Sequence, residues 1–223
     1  MAKNLNLNRR SAPGSGCVDF DVLLKMGFDP SAIVLEEGEL PPLYEALQDR
    51  DFELAARLIK EGAKLDDLIE DDGNTFLHDA AQAGDLKMVD FFLDHECPAT
   101  LESFDYISNT PLIRAADSGR TEVVVRLLAA RVNPNANDEE RVGNTAIREA
   151  VRSGHAEIVS LLLRAGADPT IPGWMNISAV DQAWYSIKGT HETMREIRAL
   201  LASYPRSLRD KKTKQNKRME SNG

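Results

Sequence analysis

Residues 144–169 read NTAIREAVRSGHAEIVSLLLRAGADP, and this stretch decides the fold. Four of its apolar residues follow the spacing i, i+1, i+4, i+5, which predicts one buried face of a helix. They are Ile158, Val159, Leu162 and Leu163. Thr145 is typical of a helix N-cap, and Gly154 and Gly166 are typical of residues that follow a helix. The stretch therefore predicts two short helices with a reversal between them.

The same pattern occurs three times with a period of 35 residues. The helix-opening threonines are Thr75, Thr110 and Thr145, and a glycine follows nine residues after each of them. A single helix pair cannot bury its own apolar face, so a periodic array predicts units that stack into one continuous core. We therefore expect an all-α solenoid of four to five helix-turn-helix units, if the degenerate copies at both ends are counted.

Three strings of the sequence resemble the ankyrin-repeat family. They are GNTFLHDAA (residues 73–81), NTPL (109–112) and SGHAEIVSLLLRAGADP (153–169). The resemblance covers about residues 18–204. It implies β-turn fingers that project from one edge, first helices that line a concave surface, and a protein-binding role. Arg148 departs from the family pattern at a usual histidine, and Arg131 at a usual helix-terminating glycine.

The repeat pattern divides the chain into a folded body and two tails. We expect a disordered basic arm at residues 1–16, an ankyrin-repeat domain at 17–204 and a disordered basic tail at 205–223. Within the domain we expect a half-unit cap at about 18–38, units at about 39–70, 71–105, 106–140 and 141–173, and a C-terminal cap at 174–204.

The charge is unevenly distributed along the chain. The net charge is −9, but residues 1–16 carry +3 and residues 205–223 carry +5, which leaves −17 for residues 17–204. Such a body repels nucleic-acid phosphates and anionic membranes. Any nucleic-acid binding would be weak and confined to the tail KKTKQNKR (211–218), which is alternatively a targeting signal or a solubilising tail.

The sequence does not favour catalysis or metal binding. The two cysteines, Cys17 and Cys97, are 80 positions apart and predict neither a disulfide scaffold nor a zinc site. His78 and His155 fall on family positions where the imidazole bonds the backbone of its own or the next turn. No nucleophile motif or phosphate loop is present. We expect a monomer without cofactor, metal, small-molecule substrate or membrane span, in the cytoplasm, or in the nucleus of a eukaryote.

The candidate binding residues fall at the finger tips and on the first helices. Aromatic residues and methionine are typical of interface cores, and acidic fingers favour a partner that is basic at the contact. Trp174 is open to a second interpretation, in which it folds over the last unit as part of the cap. The full set is Asp71, Asp72, Asp79, Tyr106, Ile107, Arg114, Arg141, Glu149, Arg152, Trp174 and Met175.

Two functions from different classes fit this sequence. The first is a non-enzymatic interaction module that holds one protein partner on the finger and first-helix surface. The alternative is an acidic inhibitor or chaperone-like subunit, which masks a basic or nucleic-acid-binding protein by mimicking phosphate. A steep salt dependence of binding would favour the alternative, whereas binding dominated by Trp174 and Tyr106 would favour the first.

Overall fold

A computed structural model of the chain describes five ranges of residues. They are 42–65, 73–95, 98–138, 143–185 and 189–204. Several predicted features lie outside the described residues: the arm at 1–16, the half-unit cap at 18–38, the tail at 205–223, and Asp71, Asp72 and Arg141. The chain divides into two compact units, one up to Leu65 and one from Asp66.

The first unit contains one described helix pair. Helix α1 spans Pro42–Gln48 and helix α2 spans Phe52–Lys60. Pro42 lies in the first turn of α1, where the fixed φ of proline suits a helix and its missing N–H leaves no bond unmade. Asp51 caps α2 by accepting a hydrogen bond from the backbone N–H of Leu54 at 3.0 Å. The two helices pack on each other, and Leu43, Leu47 and Leu58 are buried.

The second unit is built of helices and turns. Its helices are α3 Phe76–Ala83, α4 Leu86–Asp94, α5 Pro98–Leu101, α6 Pro111–Asp117, α7 Thr121–Ala129, α8 Ala146–Ser153, α9 Ala156–Arg164, α10 Ala179–Tyr185 and α11 His191–Ala202. A short 3₁₀ turn covers Trp174–Asn176. The described residues contain no strand, and the predicted all-α repeat fold is confirmed. The four-residue helix α5 had no signal in the repeat pattern.

The helices of the second unit stack in two rows. In one row α3 packs on α6, α6 on α8 and α8 on α10; in the other α4 packs on α7, α7 on α9 and α9 on α11. The small residues Ala80, Ala115 and Ala150 are buried in the row of first helices, where a larger side chain would hold the helices apart. The leucines Leu127 and Leu162 fill the core from the row of second helices.

The predicted threonine caps are confirmed. The hydroxyl oxygens of Thr75, Thr110 and Thr145 each accept a hydrogen bond, at 3.4 Å, from the backbone N–H three residues later. Thr190 repeats this arrangement at the start of α11, at 3.1 Å. Each cap satisfies one of the free amides of a helix start and fixes the direction of the chain that enters it.

Arg131 occupies a backbone position that favours glycine. It follows α7 with a φ of 62°, whereas Gly166, at the equivalent place after α9, has a φ of 91°. In the left-handed region a Cβ atom crowds the following carbonyl oxygen, which costs about 1–2 kcal/mol in a residue other than glycine. The side chain of Arg131 is exposed, so the fold gains little packing in return for this strain.

We predict that Arg131→Gly raises the free energy of unfolding by about 0.5–1 kcal/mol. Relief of the left-handed strain outweighs the extra backbone entropy that glycine brings to the unfolded chain. Urea titration of the full chain measures the change. Arg131→Ala is the matched control, because it removes the same side chain and keeps the strain. An equal gain in the alanine variant would show that the side chain, and not the backbone angle, is responsible.

Candidate functional site

Two turns on the second unit present apolar side chains to solvent. We call residues 105–109 the tyrosine finger and residues 173–177 the tryptophan finger. Their tips carry Tyr106 and Ile107 in the first finger and Trp174 and Met175 in the second. These four side chains are 51–66% exposed. Large apolar groups with this exposure, paired at the tips of turns, are typical of interaction sites more than of solvated loops.

The tyrosine finger is a tight hairpin turn. The N–H of Ser108 donates to the carbonyl oxygen of Asp105 at 2.9 Å, and the N–H of Asp105 donates to the carbonyl oxygen of Asn109 at 3.0 Å. Ser108 has a φ of 62°, as in three-residue hairpin loops that end in a left-handed residue. This geometry leaves Tyr106 and Ile107 at the two corners of the turn.

Asp105 holds the tyrosine finger together from inside. Its side chain is fully buried, and Oδ1 accepts hydrogen bonds from the N–H groups of Ile107 and Asn109, both at 2.9 Å. Oδ2 accepts from Nε of Arg114 at 2.6 Å. Asp105 is not among the candidate residues taken from the sequence. The pattern Asp-x-x-x-Asn at a turn was the available signal, because an aspartate there can bond its own loop.

Arg114 links the tyrosine finger to the preceding repeat, which contains α3 and α4. One terminal nitrogen of its guanidinium donates to Oε1 of Gln82 on α3 at 2.7 Å, while Nε is paired with Asp105. The guanidinium carbon lies 5.9 Å from the centre of the Tyr106 ring, within cation–π range. Arg114 was predicted as a partner-binding residue. In the structure its charge already has a carboxylate partner.

The tryptophan finger is closed by its own backbone. The N–H of Gly173 donates to the carbonyl oxygen of Ile177 at 3.1 Å, and Met175 and Asn176 both have positive φ values, 61° and 57°. The N–H of Trp174 donates to Oδ1 of Asn144 at 3.1 Å. The side chain of Trp174 is largely exposed, which favours a binding residue over a residue of the cap.

The first-helix positions differ from the expectation at Glu149. Asp79 is exposed, as a contact residue requires, but Glu149 is only 4% exposed. One oxygen of Glu149 accepts from Arg148 at 3.0 Å and the other accepts from Nε of Arg152. The reason lies in Arg148, which replaces the usual histidine and brings a buried positive charge that a carboxylate must balance. Glu149 is thus a positioning residue and not a contact residue.

Arg152 connects two successive repeats of the second unit. It donates to Oδ1 of Asp117 on α6 at 2.6 Å, and the hydroxyl of Ser153 donates to the same oxygen. Burial opposes the charge of Arg152, but its hydrogen bonds to Glu149 and Asp117 and their negative charges outweigh this, so its pKa is raised. Its side chain is 36% exposed, and a partner can touch it only beside groups that already neutralise it.

Arg148 and Asn144 connect the bonded side chains of Glu149 and Arg152 to the tryptophan finger. Arg148 donates to Oδ1 of Asn144, the same atom that accepts from the N–H of Trp174. Burial lowers the pKa of Arg148, while the charge of Glu149 opposes this change. Asn144 therefore ties the backbone of the tryptophan finger, at Trp174, to Arg148 on α8.

His78 and His155 have structural roles. His78 is fully buried; its Nε2 lies 3.0 Å from the carbonyl oxygen of Asn109 and 3.2 Å from that of Ser103. Because a carbonyl only accepts, Nε2 carries the proton and Nδ1 accepts from the hydroxyl of Thr75 at 2.9 Å. Nε2 of His155 lies 3.2 Å from the carbonyl oxygen of Asp117, which belongs to the preceding repeat. A bond within its own or the next turn was expected.

Two exposed aromatic residues were missed in the sequence. Trp184 and Tyr185 end α10, and the guanidinium of Arg198 on α11 lies 4.8 Å from the Trp184 ring. Tyr185 occupies the helix position held by Arg152 one unit earlier. The last unit is offset by 33 residues and not by 35, so an alignment at the regular period does not bring Tyr185 into that row.

We predict that Asp105→Ala lowers the free energy of unfolding by about 3 kcal/mol. The change leaves the largely buried Arg114 without its carboxylate and opens the turn bonds of the finger. Asp105→Asn retains an oxygen acceptor for the turn and is expected to lower it less. Asp79→Ala removes an exposed acid and serves as the control, with a change of about 0.5 kcal/mol or less. Chemical denaturation followed by circular dichroism compares the three variants, and equal losses in all three would contradict this assignment.

We predict that the chain loses stability as the pH falls below 6.5, in part through His78. Burial, the largest influence, lowers its pKa below 6.5, although Asp105 and the two backbone carbonyls oppose the change. The unfolded chain therefore takes up the proton first, and the contribution is complete above 6.5 and decreases as the pH falls toward the folded pKa. Unfolding free energies at pH 7.5, 6.5 and 5.5 are expected to decline less in His78→Gln. The same decline in both proteins would assign it to other groups.

Two further findings concern the described residues. No helix among them is both long and apolar enough to traverse a bilayer. In the same part of the chain, no three His, Cys, Asp or Glu side chains form a group suited to a metal ion.

Comparison with protein families finds two matches along the chain. A family model described as "Ankyrin repeats (3 copies)" matches residues 101–172, and one described as "Ankyrin repeats (many copies)" matches residues 43–93. Comparison with curated proteins gives no match. Ankyrin repeats generally mediate protein–protein interaction and are generally not enzymes. With helix pairs, threonine caps and family matches in agreement, the chain belongs to the ankyrin-repeat family.

Proposed function

We propose that this chain is a non-enzymatic module that binds one protein partner at the edge carrying its two fingers. The observation that carries the proposal is the pairing of exposed apolar side chains at the two tips: Tyr106 with Ile107, and Trp174 with Met175. Leaving such groups in water forgoes about 1.5–3 kcal/mol for each side chain that a partner would fully bury. Aromatic residues and methionine are enriched in interfaces for this reason.

The rigidity of the tips supports the same proposal. The tyrosine finger is fixed by Asp105, and the tryptophan finger is fixed by its backbone bonds and by Asn144. Met175 and Asn176 both keep left-handed backbone angles. Strained residues that the surrounding structure enforces often mark functional sites. A tip that is ordered before binding loses less conformational entropy when the partner arrives.

Electrostatics favours a partner that is basic where it meets the chain. Residues 17–204 carry a net charge of −17, and two of the candidate arginines, Arg114 and Arg152, already have carboxylate partners. The acidic side chain of Asp79 is exposed on α3, where a partner can reach it. Long-range attraction of this kind speeds association and is screened beyond about 8 Å at physiological salt.

The alternative, an acidic subunit that masks a basic or nucleic-acid-binding protein, rests on the same excess of acid. It assigns the binding energy to charge and not to the finger tips. An affinity that falls by a factor of about 10³ or more between 50 and 200 mM salt, and does not respond to the tips, would favour it. An affinity that follows the tips and changes modestly with salt favours the interaction module.

We predict that the double variant Trp174→Ser, Met175→Ser loses at least about 2 kcal/mol of binding free energy for a protein retained by the full chain. The loss is expected mainly as faster dissociation, because the variant removes a desolvated anchor. Surface plasmon resonance measures both rates at two salt concentrations.

The matched control is Val125→Ser, which changes a 45% exposed apolar residue on α7, in the row of second helices. It is expected to leave both rates unchanged. A partner lost with Val125→Ser and retained by the finger variant would place the binding surface on the second helices and contradict the proposal.

A further inference from the structure

The tips of the two fingers occupy equivalent positions in the repeat. Trp174 and Met175 each follow Tyr106 and Ile107 by 68 residues, the same separation as between the helix-opening residues Thr110 and Ser178. The left-handed residue that closes each turn is also equivalent, Ser108 with a φ of 62° and Asn176 with a φ of 57°. The two apolar pairs are therefore the same structural feature presented twice.

The stacking of first helices sets the distance between the tips. Helices α6, α8 and α10 pack directly on one another in that order, with the tyrosine finger before α6 and the tryptophan finger before α10. Packed helices lie about 8–10 Å apart, so two steps separate the finger tips by about 16–20 Å. Both tips belong to the second unit, and the buried core between them keeps this spacing fixed.

The form of the tips limits what can bind both of them. Tyr106, Trp174 and Met175 each expose more than half of their surface and stand outward from closed turns. A projecting aromatic side chain becomes desolvated only when pocket walls surround it. A folded surface supplies such walls in advance, whereas a flexible segment would have to be ordered around each tip at a further entropic cost.

We propose that both fingers together engage one folded partner domain, which carries two apolar pockets about 16–20 Å apart and basic residues around them. This inference rests on the proposed function and specifies its partner. The basic surroundings follow from the net charge of −17 over residues 17–204. A second copy of this chain is disfavoured as the occupant, because two chains of net charge −9 repel each other.

Simultaneous engagement has a measurable consequence. Once one finger is seated, the second pocket is held beside the second tip, and its binding becomes intramolecular. Removing one tip is therefore expected to lower the affinity about 30-fold, and removing both about 1,000-fold, for a partner that binds in a 1:1 complex. The finger variants are Tyr106→Ser with Ile107→Ser, and Trp174→Ser with Met175→Ser.

The experiment uses photochemical cross-linking of the full chain in an extract of its source cells. The photoreactive amino acid p-benzoylphenylalanine replaces Tyr106, Trp174 or, as the control, Val125. We expect the first two positions to cross-link to the same polypeptide, and a chain substituted at both to give one 1:1 product joined at two sites. The control position is expected to give no product of that mass. Mass spectrometry of the product identifies the partner residues that line the two pockets.

Other cross-linking patterns would contradict joint engagement, the folded partner or the proposed function. Different polypeptides at the two fingers, or a product at one finger alone, would overturn joint engagement and leave the proposed function standing. Dimers of this chain would identify a second copy as the occupant. Cross-linking that persists after the partner is denatured would replace the folded pockets with a linear segment. Products from Val125 but from neither finger would overturn the proposed function as well.

Discussion

The close approach of the first helices in successive units is the contact on which the rest of the second unit depends. Ala80, Ala115 and Ala150 are buried there because only a methyl group fits between helices packed at this distance. No helix of seven to nine residues is stable alone, so each unit relies on its neighbours to bury its apolar face. The fingers enter this row of helices and take both their spacing and their direction from it.

Hydrogen bonds and ion pairs between successive repeats of the second unit add to that apolar stack and fix its register. Arg114 reaches Gln82 on the preceding first helix, and Arg152 reaches Asp117 in the same way one unit later. Such partly buried charges add little net stability, since desolvation offsets most of their attraction. They are costly to misplace, however, because a shifted register would leave a charge unpaired. The bonds thus oppose sliding of one unit on the next, which an array of similar apolar faces would otherwise tolerate.

Sequence periodicity predicted the helix pairs, the threonine caps and the finger tips, because each depends on local spacing. It failed where a side chain responds to a distant neighbour. Glu149 was assigned to the surface by its helix position, yet the buried Arg148 draws it inward. Asp105 was not among the candidate residues, and only the turn geometry shows that it bonds three groups at once. Tyr185 was missed because the last unit has a different length.

The residues that close the two fingers restrict the conformation of the apolar tips. Ser108 and Asn176 are left-handed without being glycine, whereas Gly73 takes this conformation at the equivalent position of another unit. Glycine would let an isolated turn explore many conformations, and small polar residues restrict it while tolerating the left-handed region. At a tip that carries only solvated groups this restriction brings no benefit. Beneath Tyr106 and Trp174 it holds an aromatic ring in position before a partner arrives, so that less entropy remains to be lost on binding.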